Sequence, residues 1–361
     1  MRSGYPVSMG CFVAFALLMA IAVACGSEIV TEPSGSDDAS KVYYVSNQGD
    51  DEADGSSVST AFLTIGRALE VVQPGDTILI QPGTYHEALL LEGTGSPKLS
   101  ITLRGDGGGA ILDGQNNMSI GFWCERCSNV TFENLEIRNF TDVGIGVSLS
   151  SSIIMRNLVV HDNGSDPQLA DWEIEGYGIQ AEESIRVRIE NNEVYRNGPQ
   201  PASPGRLGTG IDTFGLTDSV IRNNRSHDNI GGGILVEDGV QIVVEGNEVV
   251  SNYLDASVDE WWDGGLWLDG GHDVTVRDNV FKDNLGPGIE ISDEDHQRPY
   301  GYVIEDNTVT GNYYGIYIWN FGTSDLPAEE VLRMANNQIS GNARQQLWIV
   351  PWECPPPEPC E

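Results

Sequence analysis

The sequence predicts an all-β solenoid: one domain of short strands coiled into stacked turns. Two recurring patterns carry that prediction. A segment of the type N-x-V-x-x-N recurs as NLEIRN, NLVVHD, NEVYRN, NRSHDN, NEVVSN, NVFKDN, NTVTGN and NQISGN. Its leading residues (Asn134, Asn157, Asn192, Asn224, Asn247, Asn279, Asn307 and Asn337) are spaced 23, 35, 32, 23, 32, 28 and 30 apart. A bare turn therefore takes 23 residues, and the longer turns carry insertions. Between these segments lies a second strand, G-[IL]-x-[VIAL]-x, seen as GIGVS, GIQAE, GIDTF, GILVE, GLWLD, GIEIS and GIYIW. A third strand type, such as IVVE or VTVR, precedes each Asn. Three short strands per turn with Asn at the corners lets inward residues form apolar columns, while the amides bond along the stack.

Composition agrees and excludes other classes. The 43 Gly suit many turns between short strands, and 40% apolar residues are too many for a disordered chain. Asp and Glu number 54 against 19 Lys and Arg, a net charge of -35, and that field would repel nucleic acid.

Taken in order, residues 1–25 read as a targeting segment. Arg2 is followed by an apolar run from Cys11 to Ala24, too short for an ordinary spanning helix. Its end, Ile21-Ala22-Val23-Ala24-Cys25, resembles the lipobox of bacterial lipoproteins. The resemblance implies export and lipid attachment at Cys25, with the lipid as the sole membrane contact. A cleaved secretory signal is the alternative. Residues 26–41 read as a flexible tether and 42–350 as the coil. Within the opening of the coil, Phe62, Ile65, Ala68, Leu69 and Val72 fall at helical spacing, so a short helix over Phe62–Val72 is expected to plug the open end. Residues 351–361 form a Pro-rich tail, CPPPEPC, in which Cys354 and Cys360 are expected to close a small disulfide loop. Cys124 and Cys127 are expected as a local disulfide or two buried thiols.

The residues and spacings of the coil resemble the right-handed parallel β-helix of pectate lyases and related carbohydrate-active proteins, over roughly residues 42–350 and about ten turns. Side chains alternate along a strand, so the third and fifth residues of G-I-x-V-x point away from the core. The third-position column runs Trp123, Gly146, Gln180, Asp212, Leu235, Trp267, Glu290, Tyr317. The fifth runs Glu125, Ser148, Glu182, Phe214, Glu237, Asp269, Ser292, Trp319. Carboxylates and aromatics are thereby expected to crowd one outward patch. Insertions at 164–177 (with Trp172), 198–209 (with Arg206) and 253–264 (with Trp261 and Trp262) would wall it, and His296 and Arg298 lie at its opposite edge.

Three activities suit such a patch. A glycan-cleaving enzyme, most simply a glycoside hydrolase, needs two carboxyl groups flanking the bond. The segment GLWLD resembles one in β-helix β-xylosidases, which implies Asp269 as nucleophile or base and a Glu of the next turn as acid. Glu290 is the first candidate for that acid and Glu237 the reserve. Trp267, Trp319, Tyr317, Trp261, Trp262, Trp172, Asp212 and Gln180 are expected to bind the polysaccharide or oligosaccharide. A non-catalytic glycan- or Ca²⁺-binding surface protein is the second activity. The third is a Ca²⁺-dependent lyase or epimerase, for which Glu182, Asp212 and Glu237 offer hard oxygen ligands. The two columns lack Lys and Arg, and the DPHD-type motif of alginate epimerases is absent. No cofactor is required by the first activity, with Ca²⁺ an optional ligand, and the chain is expected to act as a monomer.

Overall fold

The computed structural model describes residues 40–95, 100–165, 176–198, 208–253, 264–294, 298–321 and 326–350. Among them the chain coils through three parallel sheets, one of eleven strands and two of ten. The first two strands, Val42–Val45 and Thr77–Ile80, pair in one sheet; from there on consecutive strands fall in different sheets and each pairs with its equivalent one turn on, which is the expected solenoid of about ten turns. A single apolar core fills the coil, drawing Phe122, Val147, Ile179, Ile211, Val236, Leu268, Ile291 and Ile316 from one sheet alone.

The Asn repeat does what the pattern demanded, and more. The leading Asn residues from Asn192 to Asn337 form a buried amide ladder. Asn247 is typical: its Oδ1 accepts from the backbone N–H of Asn224 (2.9 Å) and from Asn224 Nδ2 (3.0 Å). Its own Nδ2 donates to the Ile221 carbonyl (2.9 Å) and to Asn279 Oδ1 (3.0 Å). The trailing Asn of the motif builds a second ladder through Asn163, Asn197, Asn229, Asn252, Asn284, Asn312 and Asn342, ending on Gln346 Oε1. This second ladder explains the Gly that opens each G-I strand. A Cβ on Gly178 would stand 2.7 Å from Asn197 Nδ2, and one on Gly233 would stand 2.8 Å from Asn252 Nδ2.

Two expectations change. Asn134 and Asn157 do not belong to the first ladder; they hold positive φ (58° and 52°), as do Asn191 and Asn223 one residue before ladder members. Leu135 and Leu158 take the ladder place and are buried, so the first two repeats are one residue out of phase with the other six. Asn serves both corner positions, tolerating left-handed backbone and supplying the amide, which is why the sequence pattern slipped. The N-terminal helix is Ile65–Val71, shorter than Phe62–Val72. Asp51 accepts from the backbone N–H groups of Leu63 and Thr64, and Thr64 caps the helix by accepting from Arg67 N. Phe62, Ile65 and Ala68 still close the core, whereas Leu69 is only half-buried. Cys124 and Cys127 are joined as a disulfide, one of the two states expected for them.

Candidate active site

The candidate face is the ten-stranded sheet running from Leu89–Glu92 to Leu347–Ile349. Its register matches the third-position column throughout and the fifth-position column as far as Ser292, with Trp319 just beyond the paired strand. Trp123, Gly146, Gln180, Asp212, Leu235, Trp267, Glu290 and Tyr317 pair in succession. Glu125, Ser148, Glu182, Phe214, Glu237, Asp269 and Ser292 pair beside them.

The middle of this face is a cleft of roughly 350 Å³. Its floor is Gln180, Glu182, Asp212, Phe214, Leu235, Glu237 and Trp267, with Tyr177, Gly208 and Thr209 at one edge. Three carboxylates thus share a cleft with three aromatic rings. Asp212 lies one turn from both Glu182 and Glu237 and two residues off each along the strand, which sets each pair of Cα atoms about 8 Å apart. Glu182 and Glu237 stand two turns apart, with Phe214 between them. Burial, and then the charge of Glu183, push the Glu182 carboxyl above the usual range. Among the described residues no three His, Cys, Asp or Glu side chains gather to hold a metal ion.

Asp269 and Glu290 are where the register put them, but neither is among the residues that line the cleft. Glu290 is 1% exposed, and Asp269, at 6%, is as covered as Asp212 at 7%. The Ser292 hydroxyl donates to Asp269 Oδ1 (2.6 Å) and accepts from Trp267 Nε1 (2.7 Å). The backbone N–H of Glu294 donates to the same Asp269 oxygen (3.0 Å). Burial raises the Asp269 pKa, opposed by these two hydrogen bonds. Trp319 Nε1 donates to Glu290 Oε1 (2.6 Å).

The aromatics explain the burial of Glu290. Tyr317 and Trp319, expected as open sugar platforms, are buried with Tyr253 and Val350 in a second apolar cluster, against which Trp267, Tyr313, Tyr314 and Trp348 pack. Tyr317 and Trp348 face each other on adjacent turns with ring centroids 4.8 Å apart. Large rings stacked in register cover one another, and Tyr317 and Trp319 lie beside Glu290. The Tyr317 hydroxyl is shifted strongly toward its protonated form by burial and by Glu290.

Of the expected ligands, Gln180, Asp212 and Trp267 line the cleft. Trp172, Trp261, Trp262, Arg206, His296, Cys25, Cys354 and Cys360 lie outside the described residues. Sequence reading missed Ser292 as the hydroxyl that couples Asp269 to the cleft wall through Trp267. The signal for it was the serine directly following Asp269 in the fifth-position column.

A family model for a right-handed beta helix region matches residues 112–261 and, overlapping them, 207–330. The chain belongs to that family. Among relatives of this right-handed beta-helix protein is the uncharacterized protein YwoF of Bacillus subtilis (strain 168). It is 29% identical over 355 residues, covering 85% of this chain and 71% of that one. Mannuronan C5-epimerase AlgE5 of Azotobacter vinelandii is 26% identical over 222 residues, 59% of this chain. The match spans only 20% of that epimerase. Among solved structures, pectate lyase Pel9A superposes with a TM-score of 0.60 at 18% identity, covering 85% of this chain and 80% of that one. At that identity the likeness establishes the fold.

Proposed function

We propose that this protein cleaves a glycan outside the cytoplasm, with the cleft over Glu182, Asp212 and Glu237 as its active site. The observation that carries this reading is the convergence of three carboxylates and the rings of Tyr177, Phe214 and Trp267 on one cleft. Aromatic rings suit the apolar faces of sugars, and paired carboxylates are the machinery of glycoside hydrolysis. The Cα atoms of Asp212 and Glu182 lie about 8 Å apart on neighbouring turns, so both carboxyls open onto the same cleft, and an inverting reaction with a water between them is the form this reading takes.

In this reading Glu182 is the acid. Its raised pKa keeps the carboxyl protonated to higher pH, ready to protonate the leaving oxygen. Asp212 is the base that takes a proton from the attacking water. Glu237, on the far side of Asp212, binds sugar hydroxyls. Asp269 is a positioning residue, holding the Ser292 hydroxyl and through it the Trp267 ring at the cleft wall. Attachment through Cys25, or release after signal cleavage, would place this chemistry at the cell envelope.

The pH profile follows. An acid must be protonated, so activity should fall as pH rises through the Glu182 pKa, and the raised value moves that limb upward. Glu182→Gln should lower turnover and abolish the alkaline limb for a substrate whose leaving group needs no protonation. A Glu182→Gln profile with the same alkaline limb as wild type would remove Glu182 from the mechanism.

A second reading, uronate epimerisation or elimination, is favoured by the similarity to AlgE5. Such a reaction must neutralise a substrate carboxylate, yet the described lining of the cleft holds acids and no Lys, Arg or His. Digestion of neutral and uronate polysaccharides, assayed for new reducing ends and for unsaturated products, decides between them. Reducing ends from a neutral glycan support hydrolysis; unsaturated or epimerised uronates support the second reading.

A further inference from the structure

We infer that the same sheet face carries a distal glycan subsite built on Trp123, toward the N-terminal end of the coil. The inference rests on the proposed glycan cleft, with which this face is continuous. Trp123 stands in the third-position column two turns before Gln180, and Gly146 is the only residue between them. A Cβ on Gly146 would stand 2.2 Å from Cζ3 of Trp123. The indole therefore lies across Gly146, spread along the helix axis toward the cleft, and it is half-buried.

Beyond Trp123 the face opens into an apolar groove of about 320 Å³, lined by Ala88, Leu89, Leu90, Ser119, Ile120 and Trp123. Leu90, paired with Trp123 on the previous turn, is 65% exposed. On the other side of the ring a polar rim is ready to bond hydroxyls: Arg126 pairs with Glu125 (2.6 Å) and Glu92 (3.3 Å). The turn between groove and cleft presents Gly146 and Ser148 outward, so no bulky side chain of that strand rises between them.

A flat ring with a charged, hydrogen-bonding rim recognises a pyranose, whose faces are apolar and whose edge is hydroxylated. Turns repeat at about 4.8 Å, close to the length of one sugar unit in an extended chain. A glycan lying along the sheet with one ring in the cleft would thus place another on Trp123 two units away. The occupant is the same chain that enters the cleft, which makes the substrate a polymer rather than a disaccharide.

Affinity electrophoresis through native gels containing arabinoxylan, galactomannan or mixed-linkage β-glucan tests this. Wild type should be retarded by at least one of them, and Trp123→Ala should weaken that binding about ten-fold. Gly146→Val, which puts a side chain where the indole lies, should weaken it similarly, and circular dichroism checks that both variants fold. Wild-type retardation in Trp123→Ala, or no retardation of wild type in any gel, overturns the subsite. The two readings fail separately. If Asp212→Asn and Glu182→Gln still cleave while Trp123→Ala loses retardation, the catalytic assignment falls and the subsite stands.

Discussion

Asp212→Asn should lower turnover on a cleaved glycan by about 10² to 10⁴-fold while leaving thermal unfolding nearly unchanged. Asp212 lies in the floor of the cleft and is 7% exposed, flanked on neighbouring turns by Glu182 and Glu237. The amide keeps the shape and most of the hydrogen bonding of the carboxylate but cannot take a proton from water. Loss confined to kcat, with KM and melting temperature preserved, marks a group used in the transition state. Asp269→Asn should behave differently. Its amide oxygen would still accept from Ser292 or Glu294, so any effect should reach the reaction through Trp267 and appear largely in KM. Near-wild-type turnover in Asp212→Asn would show that the base lies elsewhere.

The second large effect is on the fold. Asn247→Ala should destabilise the protein by about 3 kcal/mol or more, measured by equilibrium denaturation. It strips the backbone N–H of Asn224 of its side-chain acceptor and the Ile221 carbonyl of a donor, inside a stack from which water is excluded. It also interrupts the amide chain between Asn224 and Asn279. In a solenoid each turn leans on its neighbours, so one broken rung weakens both adjoining interfaces. Arg277→Ala gives the contrast. It removes an ion pair to Glu245 (2.6 Å) whose arginine is 47% exposed, and surface pairs of that kind contribute under about 1 kcal/mol. Equal losses in the two variants would mean that the ladder is not what holds the turns together.

Much of this was legible because a β-solenoid repeats. Period-two alternation within each G-I strand fixed which residues share a column, and the strand register bears out both columns. The Asn ladder was legible for six of eight leading positions. It slipped at Asn134 and Asn157 because Asn suits two neighbouring corner positions for unrelated reasons, left-handed backbone and a stacked amide.

Alternation could not tell outward from exposed. Asp269 and Glu290 point away from the core, as Asp212 and Glu237 do. Whether Glu290 meets solvent depends on Tyr317 and Trp319 of the next turn, which cluster with Tyr253 and Val350 over that end of the face. Column reading also weighed each acid alone. The raised pKa of Glu182 comes first from its burial, which a one-dimensional pattern does not reveal, and then from its chain neighbour Glu183.

In the proposed reaction Glu182 and Asp212 act across a sugar bond with a water between them. Proton NMR of a neutral-glycan digest, recorded before mutarotation equilibrates the products, tests it most directly. The account predicts first-formed reducing ends of opposite anomeric configuration to the bond cleaved. First-formed ends of the same configuration, or unsaturated sugars in place of reducing ends, would contradict it.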